Sequence, residues 1–128
     1  MPYKIILDGP PIAQARPRVT RRGFAYDPNS KEKLAVKWKI KQQYKGEPID
    51  QPIRLKIYFS MPTPKSLSKK KQDALIGNPH CKKIDLDNLI KFYLDCMNGI
   101  LYHDDSQIFS IEAVKIWAEL GETEIIIS

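Results

Sequence analysis

Five carboxylates, Asp85, Asp87, Asp95, Asp104 and Asp105, stand in one short stretch of a chain whose net charge is +6, with Lys91 as the single lysine or arginine among them. Carboxylates set close together raise one another's pKa and cost stability unless a cation lies between them. Oxygen-only ligands of this kind suit Mg²⁺, with Mn²⁺ as a substitute, while water and a phosphate complete the octahedron. A divalent cation so held would activate water toward a phosphodiester and offset the charge developing on it. Lys91 could neutralise that transition state or orient the attacking water.

These groups need a helix to position them. Asp87, Lys91, Asp95 and Asn98 follow one another at i, i+4, i+8 and i+11, a narrow polar stripe. Ile90, Tyr93, Leu94 and Met97 form one apolar row, and Leu89, Phe92 and Cys96 a second. A helix apolar over most of its circumference is buried on several sides, and its polar stripe faces a cleft. The spacing predicts a helix from near Asp87 to Asn98-Gly99, where glycine can take the left-handed conformation that ends it. From Asn88 to Asn98 such a helix rises about 15 Å. An extended return from Ile100 to Asp105 covers about 16 Å. A chain that folds back at Gly99 would set Asp105 beside Asp85 and Asp87.

Each residue also has a plainer reading. Asp87 can be a helix N-cap, Lys91 an i, i+4 ion pair with Asp87 or Asp95, and Asp104-Asp105 a polar turn between strands. Two spaced acids, a lysine on the same face and a returning acid pair together favour catalysis. The start Asp85-Leu86-Asp87 does not continue as a calcium loop, because Ile90 stands where that loop needs glycine.

Positive charge is concentrated elsewhere. Residues 16–45 carry a local charge of +8, residues 46–84 carry +5, and residues 85–128 carry −7. A field of one sign binds polyanions by counterion release. The segment from Ala15 to Gly23 holds Arg16, Arg18, Arg21 and Arg22, forked donors suited to phosphates. Lys69, Lys70 and Lys71 form a second basic group. The many lysines between Lys31 and Lys45 are equally compatible with a solvated helix face.

The remaining composition sets bounds. A chain of 128 residues is expected to form one domain, 1–128. No apolar run reaches the length of a membrane span and no signal peptide is evident, so a cytoplasmic protein is expected. Cys81 and Cys96 would be reduced there and act as small apolar fillers. His80 and His103 lack a zinc-site spacing and read as surface or loop histidines.

Along the chain, Tyr3 to Leu7 reads as a strand and residues 9–23 as a loop, followed by a short extended piece at Phe24 to Tyr26. A helix runs from Asn29 or Ser30 to about Tyr44, with Asn29 and Glu32 spaced as a capping box and Leu34, Ala35 and Trp38 as its buried side. Ile53, Leu55, Ile57 and Phe59 alternate with polar residues as a half-buried strand ended by Pro62 and Pro64. A short basic helix starts at Ser66 or Ser68. Ile108 to Trp117 and Glu124 to Ile127 read as an antiparallel hairpin hinged near Gly121. The class is α+β, with a small mixed or antiparallel sheet and two to three helices.

The string Asp85-Leu86-Asp87-Asn88-Leu89-Ile90-Lys91, then Leu94-Asp95, Asn98-Gly99 and Asp104-Asp105-Ser106-Gln107-Ile108, resembles the signature of RusA-type Holliday junction resolvases. Ala15-Arg16-Pro17-Arg18 resembles the basic N-terminal loop of phage-associated members. These scattered blocks cover about half of the chain. The resemblance implies a homodimeric, Mg²⁺-dependent endodeoxyribonuclease that cuts four-way DNA junctions symmetrically, with no membrane and no small-molecule cofactor involved. It maps the catalytic acids and metal ligands onto Asp85, Asp87 and Asp105, with Asp104 as the alternative in that pair, and the catalytic lysine onto Lys91. Arg16, Arg18, Arg21, Arg22, Lys69, Lys70 and Lys71 would hold DNA. A two-fold protein also suits a junction offering two equivalent phosphodiesters. Two other functions compete: a non-catalytic basic DNA-binding module, and a structural or interaction protein of a phage module.

Overall fold

The structure, a computed structural model, describes residues 2–16 and 18–128, with Arg18 described in its backbone alone. A four-stranded mixed sheet forms the centre. Its strands are β1 (Tyr3–Asp8), β4 (Ile53–Pro62), β5 (Ile108–Ala118) and β6 (Glu122–Ile127), in the order β1-β6-β4-β5. A small separate hairpin pairs β2 (Arg18–Val19) with β3 (Ala25–Tyr26). Three helices complete the fold: α1 (Ser30–Gln43), α2 (Lys69–Leu75) and α3 (Leu86–Met97). Among the described residues no helix is long and apolar enough to cross a membrane.

The period-two pattern of β4 places Ile53, Leu55, Ile57, Phe59 and Met61 on the covered face, and all five are buried. Ile5, Leu7, Ile125 and Ile127 continue that face across β1 and β6. Leu89, Phe92, Tyr93, Cys96 and Met97 of α3 close over it. Each such side chain contributes about 1.5–3 kcal/mol when removed from water. Cys96 is a buried filler as expected, and burial pushes its thiol up to about 12. Cys81 is instead exposed, and both cysteines are free.

The late strands differ from the hairpin expected of them. β5 runs parallel to β4 at the sheet edge, while β6 lies between β4 and β1, antiparallel to both. Gly121 explains part of this choice. It packs against the Gly9-Pro10 turn so closely that a Cβ would stand 2.6 Å from Pro10 Cα, and its carbonyl accepts the Gly9 N–H. That contact sends β6 to β1 rather than back along β5. Parallel β4 and β5 then require a crossover, which α2 and α3 supply.

The buried side of α1 also differs. Val36, Ile40 and the following Tyr44 face the core, whereas Leu34 and Trp38 are 67% and 63% exposed and Ala35 is exposed too. Apolar residues surround this helix, so both sets lie at helical spacing and periodicity does not choose between them. Asn29 takes the N-cap position without a capping hydrogen bond from α1. Its Oδ1 accepts the Ala15 N–H at 2.6 Å, and its Nδ2 donates to Glu32. His80, expected at the surface, is buried against Trp117 with ring centroids 4.3 Å apart. Burial, with Lys115 nearby, holds its pKa below the ordinary histidine value.

Candidate active site

Asp85 occupies the N-cap position of α3, and its side chain makes no capping hydrogen bond. Asp87 stands in the first helical turn and Lys91 one turn further, and all three residues are exposed. Among the described residues neither Asp87 nor Lys91 has a side-chain hydrogen bond or an ion pair. The i, i+4 ion pair considered for Lys91 is absent there. The positive end of the α3 dipole favours both acids, an effect of about 0.3–1 kcal/mol each at the surface. Among the described residues they remain uncommitted oxygen ligands, one helical turn from an uncommitted ammonium.

The entry to this helix is strained. Ile84, immediately before Asp85, has φ of 94°, the one positive value at a non-glycine among the described residues. A β-branched residue held there costs about 1–3 kcal/mol. Lys115 of β5 stabilises the conformation: its Nζ donates to the Ile84 carbonyl at 2.6 Å and to the Lys82 carbonyl at 3.2 Å. Nothing in sequence spacing joins Lys115 to Ile84; the segment ahead of α3 is held on β5 by the His80 N–H on the Lys115 carbonyl and the Pro79–Ile116 bridge. Lys82 and Lys83, exposed just ahead of Ile84, add positive charge whose adjacency to Asp85 was visible in the sequence.

Asp105 lies at the other end of α3. Tyr102 is fully buried and its hydroxyl donates to the Leu94 carbonyl at 2.7 Å, while the Gly99 N–H bonds the Tyr102 carbonyl. Residues 99–102 therefore turn against the last helical turn instead of extending back along it. Residues 105–107 form a short 3₁₀ turn, and Ile108 then begins β5 beside Ile53. Lys115, seven residues further along β5, reaches the α3 entry. So β5 and α3 are antiparallel, and the helix start and end are separated by about 16 Å of helical rise. Among the described residues no three His, Cys, Asp or Glu side chains stand together as a metal would need. The expected return of Asp105 to Asp85 and Asp87 does not occur within one chain.

The acids at this far end differ in employment. Asp104 Oδ2 accepts the Ser106 N–H at 3.1 Å, and the Ser106 side chain, then that N–H, hold its carboxyl below the usual range. Gln107 completes the cap by accepting the Asp104 and His103 N–H groups. Asp95 pairs with Lys33 at 3.1 Å, and Lys33 also binds Asp27 at 2.5 Å. Burial alone would lower the Lys33 ammonium, whose side chain is 13% exposed, yet the two carboxylates outweigh it and hold it raised. Asp105 is exposed, and its side chain has no such partner among the described residues.

Basic residues approach the α3 start through the N-terminal loop. Ile12 N–H donates to Tyr93 Oη at 3.0 Å, Gln14 N–H to the Asn88 carbonyl at 2.9 Å, and Ala15 N–H to Asn29. These bonds lay residues 12–15 across α3, with the exposed Arg16 two residues beyond the Gln14–Asn88 tie. Arg21 and Arg22 are exposed in the turn of the β2–β3 hairpin. The expectation for Arg18 concerns a side chain outside the described residues. Lys69, Lys70 and Lys71 are exposed on α2, whose Ser68 Oγ caps it by accepting the Lys71 N–H. None of the described members of these groups enters an ion pair among the described residues.

An uncommitted acid pair beside a lysine and basic loops is an arrangement that can hold a cation against a nucleic-acid backbone. Comparison with known proteins identifies a nuclease family. The family described as "Endodeoxyribonuclease RusA" matches residues 8–128. The chain is also 33% identical over 137 aligned positions to the uncharacterized protein YqaN of Bacillus subtilis (strain 168), a match spanning 97% of this chain and 94% of that one. The chain belongs to the RusA family of endodeoxyribonucleases.

Proposed function

We propose that the protein is a homodimeric, Mg²⁺-dependent endodeoxyribonuclease that resolves Holliday junctions by paired, symmetric phosphodiester cleavage in the cytoplasm. The observation that carries this reading is the α3 entry: among the described residues Asp85, Asp87 and Lys91 are exposed and unpartnered, in a chain of a DNA endonuclease family. Mg²⁺ is commonly held by one or two carboxylates, with waters and substrate phosphate completing its shell, and Asp85 and Asp87 fit that role. Bound there, it would supply Lewis-acid stabilisation and a nucleophile at neutral pH. Lys91 places its ammonium one turn from Asp87, where it counters charge developing on the scissile phosphate. Arg16, Arg21, Arg22, Lys69, Lys70 and Lys71 contact phosphates and set the DNA in place without reading bases. Arg18 joins them in this reading.

Asp105 completes the site from the partner subunit. In a two-fold dimer with the α3 helices side by side and antiparallel, the start of one helix meets the end of the other. Asp105 of each copy then approaches Asp85 and Asp87 of its mate. Ile111, in register with buried Leu55 on the face that α3 covers and itself 39% exposed, supports a partner on this side. Asp104, already committed to Ser106, is the weaker candidate for ligand.

The test incubates the protein with a synthetic four-way junction, and separately with a linear duplex, in Mg²⁺ or EDTA. Symmetric nicks in the junction alone, requiring the metal, are expected. Metal-independent cutting, or equal cutting of the duplex, would overturn the reading.

A further inference from the structure

The β2–β3 hairpin combines two properties that a phosphate-binding arm does not need together. Val19, Phe24 and Tyr26 are 67%, 69% and 47% exposed, while Arg16, Arg21 and Arg22 are also exposed and no acid falls between residues 16 and 26. Its turn is well defined: Thr20 N–H bonds the Phe24 carbonyl at 2.8 Å, Gly23 N–H bonds the Thr20 carbonyl at 2.9 Å, and Phe24 N–H bonds Thr20 Oγ1 at 3.1 Å. The hairpin base is tied to the rest of the chain by Ala15 on buried Asn29 and by Gln14 on Asn88. A two-stranded ribbon this short has little stability of its own, so aromatic rings left in water are costly to carry.

We infer that Phe24, flanked by Tyr26, stacks on a base left unstacked at the branch point of the DNA, so that the hairpin senses branching while its arginines hold phosphates. This rests on the junction-cleaving reading above and adds the substrate feature that the hairpin recognises. Aromatic rings stack on any base, which suits a site chosen by structure and not by sequence. Charge decides the occupant. A second copy of the hairpin would bring arginines against arginines, whereas DNA offers phosphates for the guanidinium groups and a π face for the ring. The tie between Gln14 and Asn88 links the base of the hairpin to the helix start that bears Asp87.

The experiment measures junction and duplex affinities without Mg²⁺ for the wild type and for Phe24→Ala, Phe24→Trp and Arg21→Ala. A 2-aminopurine reports stacking at the branch point. Phe24→Ala should weaken junction binding about tenfold, the scale of one base–aromatic stack, and leave duplex binding within about twofold. Phe24→Trp should keep both the affinity and the fluorescence change. Arg21→Ala should weaken junction and duplex alike and reduce the salt slope by about one. An unchanged junction-to-duplex ratio in Phe24→Ala overturns the inference. So does loss of dimer in that variant, which would place Phe24 against the partner subunit. A wild type without junction preference would instead overturn the reading on which the inference rests.

Discussion

At the start of α3, Asp85 and Asp87 are exposed and without partners among the described residues, whereas at its end Asp95 pairs with Lys33 and Asp104 caps the turn at Ser106. The residue type is the same and the exposure is similar, but the employment differs. A carboxylate with a hydrogen-bond donor already in place serves the fold, and one left open at a strained helix entry is available for chemistry. Ile84 and Lys115 sharpen the difference, because among the described residues the one non-glycine with positive φ stands at the open end.

The contrast breaks most sharply under exchange of Asp for Asn. Asp87→Asn should lower junction cleavage at least about a thousandfold, since several kcal/mol of metal-assisted stabilisation depend on its charge, and leave junction binding intact. Asp95→Asn should lower cleavage little and cost about 0–1 kcal/mol of stability, as expected for a pair with a partly exposed member. Equal effects in a cleavage and melting series would erase the distinction between the two ends.

Asp105 tests how the ends cooperate. Asp87→Asn and Asp105→Asn should each be inactive alone, yet a mixture of the two should nick junctions, because every mixed dimer carries one intact composite site. Continued inactivity of a mixture shown to exchange subunits would place the whole site within one chain. Asp104→Asn should retain cleavage.

Lys115→Met removes the donor that holds the Ile84 and Lys82 carbonyls. Misplacement of reacting groups by about 1 Å can cost about a hundredfold. Cleavage should therefore fall by roughly ten- to a hundredfold with junction affinity unchanged, and Lys115→Arg should recover part of it. A fall in affinity without a fall in turnover would make Lys115 a DNA contact instead.

The smallest effect belongs to the committed end. Lys33 is held above 10.5 in the fold, so its contribution is full below that pH and is lost as pH rises through the folded value. Asp27 is held below 3.8 by Lys33 and then by the Asn29 N–H, so its contribution is present above 3.8 and lost as pH falls through the folded value. Thermal unfolding of Lys33→Met should show a lower plateau between those limits and a shallower decline at both. A curve parallel to wild type would remove the ion-pair triad from the account.

Much of this was legible residue by residue. The alternation from Ile53 to Met61 identified a strand because two-fold periodicity has one structural meaning, and the rows around Leu89 and Ile90 identified α3 for the same reason. The face of α1 was not legible, since Leu34 and Trp38 match the helical period as well as Val36 and Ile40 do. The direction taken after Gly99 was not legible either, because reach along the chain allows a return that the buried Tyr102 ring forecloses. β5 and β6 are neighbours in sequence but not in the sheet, where β4 separates them.

The sequence by itself determined the α3 helix, through its periodicity, and the endodeoxyribonuclease family, through the resemblance carried by the blocks from Asp85 to Ile108. Only the tertiary structure decided, among the described residues, which acids are open and which are paired, that Tyr102 turns the chain against the last turn of α3, and that Lys115 supports the strained entry. Those outcomes depend on contacts between residues distant in the chain, which local spacing does not encode.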